Sequence, residues 1–223
     1  MKKKTTFYTE IAYLVGLILL ALGASLAERA NFGMSMVIAP PYILYLKISQ
    51  YLPFFTFGMA AYTFQGVLLI VTVLVIRKLK LSYVFSFFTA VSYGLILDGI
   101  NLLTVHIPNN LVVVRIILFA VGILSSTLGV AFMFKTYLPS EAYELIVKEI
   151  SKEYDLKIHK VKYVYDFSSL VLSVVMSFVF FGFGVFNGIH IGTLVSALAN
   201  GALINFHNKK LEQTFEFKDL FKK

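Results

Sequence analysis

Asp98 closes a stripe of small residues, Ser82, Ser86, Ala90 and Gly94, in which each position follows the last by four. A second stripe, Thr193, Ala197 and Gly201, ends the same way on Asn205. Residues four apart share one face of a helix, and small ones there let two backbones approach closely. Close packing does not require the polar residue that ends each stripe. Asp98 falls within an apolar run, where an unpaired carboxylate costs ~2.5–3.5 kcal/mol, so it should face the protein interior and be paired or protonated. Arg115, at similar depth in the next run, is the expected partner, with Asn101 and His106 nearby. Such a pair serves as a structural clamp, a charged ligand contact or a proton-coupled switch. Gln65 and Asn200 fall at mid-depth in their runs and suit neutral polar groups of a ligand. Glu28, Arg29 and Asn31 end the first run, and Asp166 opens the fifth, where they would form a mouth or gate.

Catalytic and metal chemistry find no support. The chain has no cysteine, which excludes thiolate ligands and a cysteine nucleophile, and its four histidines show no HxxxH spacing. No nucleophile–base pair, Walker loop or GxSxG occurs, and the glycines at 182, 184, 188 and 192 read as turn and packing positions. The expectation is a protein without cofactor, metal or enzymatic activity.

The elements that must position these side chains are membrane spans. In a chain of 223 residues, 58% hydrophobic content, 14% charged residues and a mean hydropathy of +0.81 exceed what a soluble core needs. Spanning ~30 Å of hydrocarbon takes ~20 apolar residues in a helix. Six runs qualify: 8–27, 54–76, 82–104, 111–134, 164–186 and 189–206, the last short and rich in small residues. The first, preceded by Lys2, Lys3 and Lys4, imitates a secretory leader with a cleavage site at Ser25-Leu26-Ala27. Its length, Glu10 at its start and an internal counterpart favour a span.

The net charge of +8 does not indicate nucleic acid, because the basic residues cluster between apolar runs. With the N-terminus inside, only Arg29, Lys47 and Arg115 of the 20 Lys and Arg fall on the outer side. The last lysines lie in a cytoplasmic tail, 207–223. Two connections are not simple loops. Segment 33–53 is apolar, with Pro40-Pro41 at its centre, and is expected to be interfacial or re-entrant. Segment 139–155 alternates acids and lysines with Leu145, Ile146 and Ile150, which predicts an amphipathic helix on the cytoplasmic surface capped by Ser140.

The chain also resembles itself. At an offset of 106, Ile11, Val15, Gly16, Leu22 and Gly23 meet Ile117, Val121, Gly122, Leu128 and Gly129. Two units, about 8–104 and 111–206, each hold three spans and an intervening segment. An odd span count inverts the second unit relative to the first. The predicted fold is all-α: one polytopic membrane domain of two inverted three-helix repeats, with interfacial or re-entrant segments after helices 1 and 4.

The stretch 22–35, with Glu28-Arg29, Asn31 and Gly33-Met34-Ser35, and the stretch 188–201, from Gly188-Ile189-His190-Ile191-Gly192 to Asn200-Gly201, resemble the YczE/YyaS/YitT-type bacterial integral membrane proteins. That resemblance implies a bacterial inner membrane and a membrane or transport protein, and it names no substrate. Where it suggests an acid closing the last span, this chain has Asn205. The expectation is a small-solute transporter with its site between helices 3 and 6, formed by Asp98, Arg115, Gln65, Asn200, Asn205 and Asn101. The alternatives are the solute-binding subunit of an energy-coupled vitamin uptake system, and a scaffold or regulatory membrane protein. Expected partners are membrane lipid and a small solute, not nucleic acid; coupling protons, an ATPase module and a homo-oligomer are left open.

Overall fold

The structure is a computed structural model and describes residues 4–220. Lys2, Lys3, Lys222 and Lys223, assigned above to the inner face, lie outside the described residues. Eight helices run in the order α1 (Thr9–Ala30), α2 (Ala39–Ile48), α3 (Phe57–Ile76), α4 (Leu81–Thr104), α5 (Val112–Met133), α6 (Ala142–Glu153), α7 (Ile158–Phe181) and α8 (Ile191–Thr214). The departure from all-α is one pair of short strands, β1 (Thr5–Tyr8) and β2 (Phe215–Lys218), parallel and in register from Thr5 opposite Phe215 to Tyr8 opposite Lys218. Phe7 stacks there among Phe132, Phe215 and Phe217, with ring centroids 5.0–5.8 Å apart. The pair brings the start of α1 and the end of α8 to one end of the bundle, called here the strand end.

Five helices, α1, α3, α4, α5 and α7, are long and apolar enough to cross a membrane. They match the predicted runs within a few residues, except that α7 begins at Ile158 and stops at Gly182, whose φ of 106° a side chain would resist. α8 is as long as the longest of them, but Asn200, Asn205, His207 and Asn208 interrupt its apolar character, and it extends well past the predicted end at Phe206.

The centre of the fold is the antiparallel crossing of α1 and α5. Added Cβ atoms at Gly16 and Gly129 would lie 3.1 and 2.8 Å from the other's carbonyl oxygen, and those at Gly23 and Gly122 would lie 2.7 and 3.1 Å away. Between these pairs the Ser125 hydroxyl donates to the Leu19 carbonyl at 2.8 Å. Outward from this axis α4 packs on α1, and α8 on α5. α2 packs on α3 and α7, and α6 packs on α7 and α3. One pairing breaks the pattern: α3 and α4 pack closely, whereas α7 and α8 barely touch.

Both short helices enter the protein instead of lying on it. In α2, Ala39, Pro40, Pro41 and Ile43 are buried, and the two prolines occupy the first turn, where a helix has no use for their missing N–H groups. In α6, Ala142, Tyr143, Leu145, Ile146 and Val147 are buried. The Ala142 N–H donates at 3.0 Å to Oε1 of Gln65, about 12 Å along α3. The chain just before it is fixed to α4, since Ser86 donates to the Ser140 carbonyl and Thr89 to that of Pro139. At the other end Glu153 pairs with Lys78, and Glu149 meets Lys80 and Tyr83. α6 therefore descends about 18 Å from mid-depth to the strand end. This corrects the reading of 139–155 as a surface helix: its amphipathic pattern records which flank faces protein, not how deep each turn sits. Ser140 is not its cap either; the N-cap is Glu141, with no side-chain cap bond.

Candidate functional site

The small-residue stripes have different fates. On α4, Ser86, Ala90 and Gly94 are buried, and the Gly94 carbonyl lies 2.1 Å from where a Cβ of Gly58 would stand. On α8, Thr193 is buried but Ala197, Gly201 and Asn205 are exposed, and nothing lies within 4 Å of a Cβ built on Gly201. The space beside this second stripe is a cavity of about 350 Å³. Leu20, Phe119, Ile123 and Val130 form its apolar wall, Ser196, Asn200 and Gly201 line the α8 side, and Met34–Ile38 close its far end. The closure is held by backbone bonds, Met34 N–H to the Gly188 carbonyl and Gly192 N–H to that of Phe32.

Its polar floor comes from the first turn of α6 and the start of α7: Glu141, Tyr143, Glu144, Lys162 and Asp166, with Tyr93 of α4. Lys162 and Asp166 pair at 2.7 Å, and Glu144 has Lys148 at 4.0 Å. Glu141 is 8% exposed, Tyr143 2% and Gln65 0%, yet Glu141 Oε1, the Tyr143 hydroxyl and Gln65 Nε2 have no hydrogen-bond partner. The Glu144 Oε2 atom is also without a hydrogen bond, and the Gln65 amide lies close enough to Glu141 and Tyr143 to act on both, so these groups form one buried polar cluster beside the cavity. Burial, and then the neighbouring Glu144 charge, push the Glu141 carboxyl up to about 8, against a smaller opposing pull from Gln65. Burial raises Glu144 as well, opposed by Lys148 and Lys162, and raises the Tyr143 hydroxyl.

The predicted site residues do not all meet. Asp98 accepts from the Thr56 hydroxyl at 2.6 Å and from Gly58 N–H at 2.8 Å, so it closes the N-terminus of α3. The expected Asp98–Arg115 pair is not formed. Arg115 instead donates to the carbonyls of Ala30 and Asn31 at 2.7 and 2.8 Å and lies 4.7 Å from the Phe32 ring centre. Those carbonyls end α1, where a cation is favoured. Arg115→Ala should therefore cost about 1–2 kcal/mol of stability and leave solute binding unchanged. Thermal unfolding with and without solute checks this.

Asn101 belongs to a different group. It donates to Glu28 at 3.2 Å and lines a second cavity of about 400 Å³ with Arg29, Asn31, Tyr42 and Tyr45. The mouth residues Glu28, Arg29 and Asn31 thus assemble as a cluster at the far end of the bundle, while Asp166 lines the 350 Å³ cavity. Of the predicted ligand contacts, Asn200 lines that cavity, Gln65 stands behind its floor, and Asn205 is exposed on α8. Sequence reasoning missed Glu141, Tyr143 and Tyr93. The available signal was Gln65, a mid-depth amide that needed a partner from elsewhere in the chain.

The helices and the enclosed polar floor define a multi-pass helical membrane protein with an internal cavity. Residues 7–209 match the family of unknown function DUF6198, and the chain belongs to that family. No curated protein and no solved structure matches it.

Proposed function

We propose that the chain is a small-solute transporter of the bacterial cytoplasmic membrane, built as two inverted three-span repeats with the 350 Å³ cavity as its solute site. One observation carries the reading: the α3–α4 seam is closed at Gly58, Gly94 and Asp98, while its counterpart between α7 and α8 stands open at Gly201. Two copies of one unit in unlike conformations are what alternating access around a fixed site requires.

Several features support the repeat. Gly16 and Gly23 correspond to Gly122 and Gly129, so the contacts Gly16–Gly129 and Gly23–Gly122 exchange under a two-fold axis. Ser125 and Leu19, 106 positions apart, meet on that axis. α2 and α6 then become paired half-helices whose N-termini point inward from opposite sides, an arrangement typical of transporter sites. α8 counts as the sixth span because the paired strands put the start of α1 and the end of α8 on one side, which takes an even number of crossings. Its polar residues suit a helix beside an aqueous path. With the strand end read as cytoplasmic from the lysine and arginine distribution, the Met34–Gly188 and Gly192–Phe32 backbone bonds fall on the outer side, which supports reading the cavity as inward-open. The likeness of 22–35 and 188–201 to YczE/YyaS/YitT-type proteins agrees with a bacterial inner membrane.

The test is a thermal-stability screen of the purified protein against vitamins, amino acids, nucleobases and organic ions, followed by flux in liposomes. A solute at a hundred times its Kd should stabilise by ~2.7 kcal/mol. Gly201→Phe, which fills the open seam, should abolish both binding and flux. Binding without flux from the isolated protein would replace the transporter with a binding subunit, and flux undisturbed by Gly201→Phe would move the site elsewhere.

A further inference from the structure

The floor of the cavity says which charge the solute carries. Lys162 pairs with Asp166, and Lys148 stands between Glu144, at 4.0 Å, and the Ser140 hydroxyl, at 3.4 Å, so that among the described residues Glu141 is the floor carboxylate in no ion pair. The groups facing Glu141 are acids or neutral donors: Tyr13 from α1, Tyr93 from α4, Tyr143 and Glu144 from α6, and Tyr165 from α7. Lys162 and Asp166 of α7 line the same space as a pair that is already neutral overall. Gln65 of α3 and Ser196 and Asn200 of α8 add no charge. An anion entering here would meet two carboxylates at the first turn of α6, which offset the helix's positive end. A neutral solute would leave a buried carboxylate either protonated or unpaired.

Above this floor the wall is apolar, with Leu20, Phe119, Ile123 and Val130, and the volume far exceeds that of a bare inorganic ion. Three oxygens without a hydrogen bond, Glu141 Oε1, Glu144 Oε2 and the Tyr143 hydroxyl, lie at the polar end of that apolar chamber. A head group with one positive charge and an apolar body satisfies both ends at once.

Resting on the reading of this cavity as a solute site, we propose that it takes a monovalent organic cation whose charge pairs with Glu141, and that one proton leaves Glu141 as the cation enters. Cation and proton then compete for one carboxylate, which is the minimal device for coupling outward movement of a cation to inward movement of a proton. The raised protonation range of Glu141, reaching about 8, puts this competition in the physiological range.

The test uses the full chain in detergent with phenyltrimethylammonium as probe, and its neutral isostere tert-butylbenzene and benzenesulfonate as comparisons, each titrated by calorimetry from pH 6 to 9. The cation alone should bind, with apparent affinity rising ~10-fold per pH unit up to about pH 8 and levelling above it, and with one proton released per cation. Glu141→Gln should lose cation binding and its pH dependence; Tyr143→Phe should keep the pH dependence with weaker binding.

Stability without ligand provides a folding control with a worked sign. The folded-state value of Glu141 is raised, so its favourable contribution is complete below about 4.5 and is lost as pH rises through about 8. Wild type should lose thermal stability over that window, and Glu141→Gln should lose less. Preferential binding of benzenesulfonate or tert-butylbenzene, blocked by Gly201→Phe, would overturn the cation assignment while leaving the solute site standing. Cation binding that Glu141→Gln leaves intact would overturn the role of Glu141. Binding of none of the three probes would overturn the proposal, and cation binding without flux in liposomes would remove transport but not the site.

Discussion

Replacing Gly23 with valine will force α1 and α5 apart and lower the melting temperature of the purified protein by on the order of 10 °C. A Cβ at this position would stand 1.9 Å from the Ser126 hydroxyl oxygen, 2.7 Å from the Gly122 carbonyl oxygen and 2.8 Å from the Ser126 backbone nitrogen. The hydroxyl can rotate away, but the two backbone atoms move only if the whole helix moves. Rigid, close-packed interiors answer such overpacking with strain of about 3 kcal/mol or more. Because helix association in lipid depends on packing and not on a hydrophobic drive, little compensates for the lost approach. Gly129→Val should behave alike, since its Cβ would lie 2.8 Å from both the Gly16 oxygen and the Leu20 nitrogen. Gly201→Ala provides the contrast: with nothing within 4 Å, it should leave stability unchanged or raise it slightly through helix propensity. Equal melting temperatures for Gly23→Val and wild type would show that the central crossing is not close-packed.

This crossing is also where the sequence was most informative. Gly16, Gly23, Gly122 and Gly129 were visible as an offset of 106, and the same offset separates Ser125 from Leu19, which it bonds. Apolar runs bounded by lysines located α1, α3, α4 and α5 to within a few residues because span length is set by a fixed thickness of hydrocarbon. Depth was not legible for α6. Glu141, Glu144, Lys148 and Glu149 read as a solvated face, yet the helix is inclined, so its first carboxylate is buried and Glu149 reaches the lysines at the strand end. A periodic pattern reports a direction around the helix axis and carries no information about tilt.

Partner choice was illegible for a related reason. Asp98 and Arg115 are adjacent in depth and opposite in charge, but which side chain meets which depends on how α3, α4 and α5 cross. Each took a helix terminus instead, Asp98 the N-terminus of α3 and Arg115 the C-terminus of α1. In both cases orphan backbone groups outcompeted a side-chain ion pair, as the cost of leaving such groups unbonded in a membrane interior implies.

The capping role of Asp98 leads to the second large effect. Asp98→Asn retains one acceptor oxygen where two were used and turns an amide donor toward the Thr56 hydroxyl or the Gly58 N–H. A charge-assisted bond is lost at a cost of about 1.5–3 kcal/mol. In the transporter reading the cost falls on one state only, because this bond exists where the outer seam between α3 and α4 is closed. A change of about 2 kcal/mol that acts on one state shifts the equilibrium between inward-open and outward-open forms roughly 30-fold. The absence of cysteine allows a direct measurement: Gly201→Cys places a reporter in the open α7–α8 seam, and a membrane-impermeant maleimide applied from the cytoplasmic side should label it quickly. Adding Asp98→Asn should slow that labelling, by up to that factor and by less the more the inward-open form predominates at the start, since the outward-open form buries the cysteine against α7. The complementary change, Asn205→Asp, gives the α8 stripe the acid that the α4 stripe already has, and should slow labelling by favouring closure of the inner seam. Labelling unaffected by either change would reduce Asp98 to a structural cap with no part in gating. Slowing by Asp98→Asn without Asn205→Asp would leave the outer seam as a gate and deny its counterpart that role.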